Sequence, residues 1–115
     1  MENQVNRFTL QSDITIQTRR AQAVEPQFAD AIRQVLKMNH KVIACYLLDA
    51  RKPDTEEIIQ IVALTIEDEI NNIDIVAQQL WEMLQKFPER ALKTFMMSSV
   101  NFRDRYLGSE FYIRR

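Results

Sequence analysis

The chain has 115 residues, 46% hydrophobic and 27% charged, with 16 acids against 15 bases for a formal net charge of −1. That is the size and balance of one globular domain, and it excludes both a disordered acidic tail and a uniformly basic nucleic-acid binder. A single Cys leaves no internal disulfide, and one Gly and one His leave neither a glycine-rich phosphate loop nor a multi-histidine metal centre.

Residues 1–25 read as a polar N-terminal arm carrying a short strand. Phe8-Thr9-Leu10 is a short extended piece, and Asp13 to Thr18 alternates polar and apolar with Ile14 and Ile16 on one face, the period of a half-buried strand. Arg19 to Glu25 is a loop. Pro26 suits the first turn of a helix, where its missing N–H had no partner to lose. Phe28, Ala31, Ile32, Val35 and Leu36 then fall on one face and Gln27, Asp30, Arg33, Gln34 and Lys37 on the other, so an amphipathic helix is predicted from Pro26 to about Met38. Lys41 to Asp49 is nearly all apolar and suits a central strand covered on both faces. Asp49 to Asp54 is a polar turn, and Glu56 to Glu67, rich in β-branched residues, is the next strand. The short link between the two predicts an antiparallel hairpin.

Glu67 to Asn72 is the following loop, in which an asparagine caps the next helix. Ile73, Val76, Ala77, Leu80, Met83, Leu84 and Phe87 mark the buried stripe of that helix, which Pro88 stops. Ala91 to Met97 reads as a strand and Val100 to Leu107 as ambiguous. Gly108 allows a turn, and Glu110 to Ile113 is a short terminal strand. The expected architecture is α+β: a two-layer sandwich with two helices on one antiparallel or mixed sheet of about five strands. The order is that of a split βαβ (ferredoxin-like) fold with an extra C-terminal strand, in one domain over residues 26–115. The longest apolar runs, Val42 to Leu48 and Ile61 to Leu64, fall far short of the ~20 residues that span a bilayer. The start Met1-Glu2-Asn3-Gln4 lacks a signal peptide's basic and apolar regions, so cytoplasmic residence without a membrane partner is expected.

Charge is unevenly spread. From Pro53 to Gln85 there are eight acids and no base, while the flanks carry net charges of +3 and +4. Segregated charge orients association, although acids near a helix N-terminus also serve the helix locally. Glu67-Asp68-Glu69 lacks the spacing and glycine of a calcium loop and reads as a hydrated loop. His40 sits where an imidazole bonds the last carbonyls of a helix. Cys45 lies in an apolar strand and reads as a small buried hydrophobe. Ser98-Ser99 lacks the context of a nucleophilic serine. No catalytic constellation appears, no cofactor is implied, and a non-enzymatic role is expected. Arg19, Arg20, Arg103, Arg105, Arg114 and Arg115, interleaved with Phe102, Tyr106 and Tyr112, resemble a single-stranded nucleic-acid grip. The isoelectric point of about 5.8 counts against it.

The C-terminal third is rich in Met and aromatic side chains. In an alternating strand Phe95 and Met97 point one way and Leu92, Thr94 and Met96 the other, so both faces are apolar. One face packs on the helices, and the other needs cover from residues 100–109 or from another chain. Trp81, beside rather than within its helix's buried stripe, poses the same question. The interface expected from this has Trp81, Phe95, Met97, Phe111 and Tyr112 as apolar contacts and Arg103, Arg105 and Arg114 as the polar rim. Its partner is another protein or a second copy in a homodimer.

From Pro26 to Arg114 the chain resembles the C-terminal domain of the enhanced serine sensitivity protein SseB family. The resemblance rests on Pro26 opening the first helix, on Val42-Ile43-Ala44-Cys45-Tyr46-Leu47, on the β-branched strand Glu57 to Ile66, on the helix around Val76 to Leu84, and on the ending Phe111-Tyr112-Ile113-Arg114. It implies no catalytic residues and an interaction or accessory role. A small-molecule (amino-acid) sensing domain and an immunity-type toxin-binding protein are the alternatives.

Overall fold

The computed structural model describes residues 17–21, 24–51 and 57–114. The expected strand over Asp13–Thr18 lies mostly outside them, as do the Phe8–Leu10 piece and residues 52–54 of the expected turn, whereas residues 49–51 continue the strand before it and Arg19 and Arg20, expected in a loop, are strand. Eight elements follow in order: β1 (Gln17–Arg20), α1 (Pro26–Lys37), β2 (Val42–Arg51), β3 (Ile58–Ile66), α2 (Glu69–Leu84), α3 (Pro88–Ala91), β4 (Thr94–Ser98) and β5 (Tyr112–Ile113). The architecture is α+β, with helices against a five-stranded mixed sheet.

The strands lie in chain order, β1-β2-β3-β4, with β5 also on β2. A split βαβ arrangement would interleave the strands of two βαβ units. Here β1 instead runs antiparallel to β2, Gln17 opposite Arg51 and Arg20 opposite Leu48. β2 and β3 form the expected antiparallel hairpin, with an irregularity between Val42 and Ala44 that leaves Ile43 unpaired in the register. Among the described strands only β3 and β4 are parallel, and the helical crossover through α2 and α3 supplies the length such a pairing requires. β1 and β5 share one edge of β2. Ala21 N–H donates to Leu47 O at 2.9 Å, Phe111 N–H to Cys45 O at 2.8 Å and Arg114 N–H to Ile43 O at 2.8 Å, so the two short strands lie end to end along it.

Helix boundaries follow local chemistry, with three corrections. Pro26 opens α1, and Phe28, Ala29, Ile32, Val35 and Leu36 are its buried stripe. The end of α1 is capped by Asn39 rather than by the His40 imidazole: Asn39 Nδ2 donates to Val35 O at 2.7 Å and to Gln79 Oε1 at 2.6 Å, which also ties α1 to α2. The expected asparagine cap of α2 is absent in that form. Asn71 and Asn72 lie inside its first turn, after Asp68 in the left-handed conformation (φ 49°). Asn72 Nδ2 donates to the carbonyls of Glu67 and Asp68 at 2.9 and 3.0 Å. α2 ends at Leu84, before Phe87, and Pro88 opens the short α3 instead of only stopping its predecessor. Phe87 at φ −131° has the extended φ that a residue before proline prefers. The strand predicted from Ala91 therefore begins at Thr94.

Both sheet faces are buried. The helix face holds Val42, Cys45, Leu47, Val62 and Leu64 against the stripes of α1 and α2. The other face holds Tyr46, Leu48, Ala50, Ile59, Ile61, Ala63 and Met97, with Phe102 and the partly buried Phe95 and Tyr106 packed on it. Residues 99–109 supply this cover. Ser99 N–H donates to Leu64 O at 2.8 Å and Ser99 Oγ bonds Thr65 Oγ1 at 2.7 Å, which anchors the segment on β3. Tyr106 Oη bonds Thr18 Oγ1 at 2.7 Å, which anchors it on β1. The ambiguous stretch is thus a series of helical turns that crosses the second face from β4 to β5 on the opposite side of the sheet, turning at Gly108 (φ 84°). Among the described residues no helix is long and apolar enough to cross a membrane.

Candidate binding site

A groove of about 540 Å³ opens between α1 and β5, the short strand at the edge of β2. Its α1 wall carries Arg33 and Lys37, one turn apart at i, i+4 and hence on one helix face. Phe111, Tyr112 and Ile113 lie along its β5 side, and Asn39 and His40 close one end. The Arg33 guanidinium lies 4.3 Å from the centroid of the Phe111 ring, a cation–π contact that fixes both side chains. Arg114 Nη1 donates to His40 O at 2.9 Å and to Glu67 Oε1 at 3.1 Å, so the far end of the groove is held to the β3–α2 loop. Lys37 makes no ion pair among the described residues.

The charged side chains lining this groove, Arg33, Lys37 and Arg114, are all cationic. A second cavity of about 290 Å³ continues it beyond Arg33 and Phe111, toward Arg20 on β1. It contains one acid, Glu110, whose Oε2 accepts from Tyr46 Oη at 3.4 Å. Burial first and the Glu110 charge second push the Tyr46 phenol above its ordinary range. The combined surface is a basic channel with aromatic side chains along it.

The eight expected interface residues separate into three places. Phe111, Tyr112 and Arg114 meet at the groove, joined by Arg33, Lys37 and His40. Phe95 and Met97 belong to the second face, Phe95 half-buried and Met97 only 3% exposed in the interior of the chain. Arg103 and Arg105 are exposed on the turns over that face, where Arg105 Nη1 donates to Thr18 Oγ1 at 3.3 Å. Trp81 stands 43% exposed on α2, away from the other two groups. Ile70, Leu92, Val100 and Leu107 are further exposed apolar side chains. The i, i+4 pair Arg33 and Lys37 was the signal that sequence reasoning passed over, as the ordinary polar face of a helix.

Cys45 is fully buried between the helices and the sheet, and burial pushes its thiol well above the ordinary range. The folded chain is therefore expected not to react with a thiol reagent at mildly alkaline pH, and to react fully once denaturant is added. Rapid reaction of the native protein would contradict this placement. Among the described residues no group of three or more His, Cys, Asp or Glu side chains gathers to hold a metal ion.

The fold and this groove define a small α+β sandwich with a cationic, aromatic-lined channel at one edge of its sheet. Comparison with protein-family models, with curated proteins and with solved structures finds no match.

Proposed function

We infer that this domain works as a non-enzymatic protein-binding module that holds an acidic segment of a partner in the α1–β5 groove. One observation carries the reading: the groove's charged side chains are all cationic and stand beside aromatic rings. Carboxylates of an extended peptide meet Arg33, Lys37 and Arg114, and its apolar side chains meet Phe111 and Tyr112. Arg and aromatic residues are the types that dominate protein interfaces. A nucleic acid is the poorer occupant. Three lysine and arginine side chains neutralise few phosphates. Kinship with the SseB C-terminal domain and cytoplasmic residence belong to the same proposal and rest on the sequence alone.

Fluorescence anisotropy with a dye-labelled peptide of alternating Glu and Leu tests the reading. Binding is expected to weaken with salt and to fall by about tenfold in Lys37→Glu, since like charges brought together oppose docking. Lys37 is exposed and outside the core, so its reversal leaves folding intact. Equal affinity of the variant, or of a labelled Lys-Leu peptide for the native chain, rejects the groove as the site. A second copy also offers an acidic segment, and sedimentation velocity across concentration separates self-association from capture of another protein.

A further inference from the structure

At the other end of the helix face, a polar network centred on the buried Gln60 interrupts an otherwise apolar sheet. Asp49 on β2 and Gln60 on β3 are register partners, and both turn their side chains toward the helices. Gln60 is 6% exposed between Ile59 and Ile61, a place where an unpartnered amide would be costly. Both ends of its amide are engaged. Nε2 donates to Asp49 Oδ1 at 3.3 Å, and Oε1 accepts from Arg90 Nη1 at 3.1 Å. Arg90 also pairs with Glu25 through Nη2, and its guanidinium lies 4.7 Å from the Phe28 ring centroid. A backbone hydrogen bond first and Arg90 second hold the Glu25 carboxyl below the usual carboxylate range. Four side chains from β2, β3, α3 and the start of α1 are thus locked into one arrangement.

This network floors a cleft of about 440 Å³, within the range of small-molecule sites. Its apolar wall is the half-exposed Ile58. On one side stands Asp49, whose second oxygen has, among the described residues, only Arg19 Nε at 3.8 Å, beyond hydrogen-bond reach. On the other side stand Arg90 and the exposed Lys93. Asp49 and the start of β4 are two strand spacings apart, roughly 10 Å. The Asp49 carboxylate, with Arg19 beside it, therefore faces a cationic wall across the cleft, at a separation longer than the two charges of an α-amino acid.

We propose that this cleft binds a small linear zwitterion, its cationic group on Asp49 and its carboxylate on Lys93 and Arg90. The class includes ω-amino acids and very short peptides, whose charged ends lie several bonds apart. Glu89 at the rim and the paired Glu25 disfavour a dianion, and Asp49 disfavours a simple carboxylate. The site is separate from the α1–β5 groove and stands or falls independently of it.

The test is thermal unfolding of the full chain in millimolar 6-aminohexanoate, with hexanoate, hexylamine and glycine as controls, because a ligand of the native state raises the midpoint as its concentration passes Kd. Only 6-aminohexanoate is expected to raise it. Asp49→Asn keeps an acceptor for Gln60 but removes the charge, and Lys93→Ala removes the opposite wall. Each variant is expected to unfold near the native midpoint without ligand and to lose the ligand-induced shift. No shift in the native chain, an equal shift with hexanoate or hexylamine, or a shift retained in Asp49→Asn would overturn the proposal. If Asp49→Asn unfolds on its own, Lys93→Ala decides.

Discussion

Met97→Asp is expected to abolish folding. Met97 pairs with Ala63 in the parallel register of β3 and β4, and its side chain packs among the residues of the second face at 3% exposure. A carboxylate there has no cation from the surrounding cluster to pair with, and leaving it protonated still buries an unpartnered polar group. The penalty of several kcal/mol per buried ion is comparable with the whole ~5–15 kcal/mol stability of a domain. Far-ultraviolet circular dichroism of the purified variant checks this directly. Trp81→Asp serves as the comparison, because a side chain 43% exposed on α2 tolerates a charge within about 1 kcal/mol. A Met97→Asp protein that unfolds as cooperatively as the native chain would show the second face to be open rather than closed by residues 99–109.

Phe28→Ala is the second large effect, expected to remove about 3–5 kcal/mol in urea titration. Phe28 is completely buried on α1. It meets the Phe87 ring edge-on, centroids 5.1 Å apart at 70°, while Arg90 lies over its face. Truncation therefore leaves a cavity where α1 packs on the turn between α2 and α3. It also removes the surface that holds Arg90 toward Gln60, so the loss should exceed that of a same-sized cavity far from any charge. Phe28→Leu keeps most of the volume and should lose well under half as much. A loss below about 1 kcal/mol for the alanine variant would contradict the packing described for α1.

The helix of residues 26–37 and the hairpin of β2 and β3 were legible because their signals are local. A proline, an apolar stripe at 3.6-residue spacing and two β-branched runs joined by a polar turn need no distant partner. The end of α2 and the start of β4 were misread for an equally local reason. Apolar spacing continues from Leu84 through Phe87 to Ala91, while the conformation forced on Phe87 by Pro88 divides it. Residues 100–107 stayed ambiguous because their turns exist to span a face built by β2, β3 and β4.

Periodicity and composition alone determined that this chain forms two amphipathic helices and several apolar strands in one α+β domain, since each such element answers to its own neighbours. Tertiary structure decided which side chains meet. Arg33 reaches Phe111 across 78 positions of chain only because β5 returns to the edge of β2. Asp49, Gln60, Arg90 and Glu25 form one network only because β2, β3 and α3 converge beside the start of α1. Contacts of that range depend on strand register and on the path of the crossing segments, which arise from packing of the whole chain and leave no local periodicity to read.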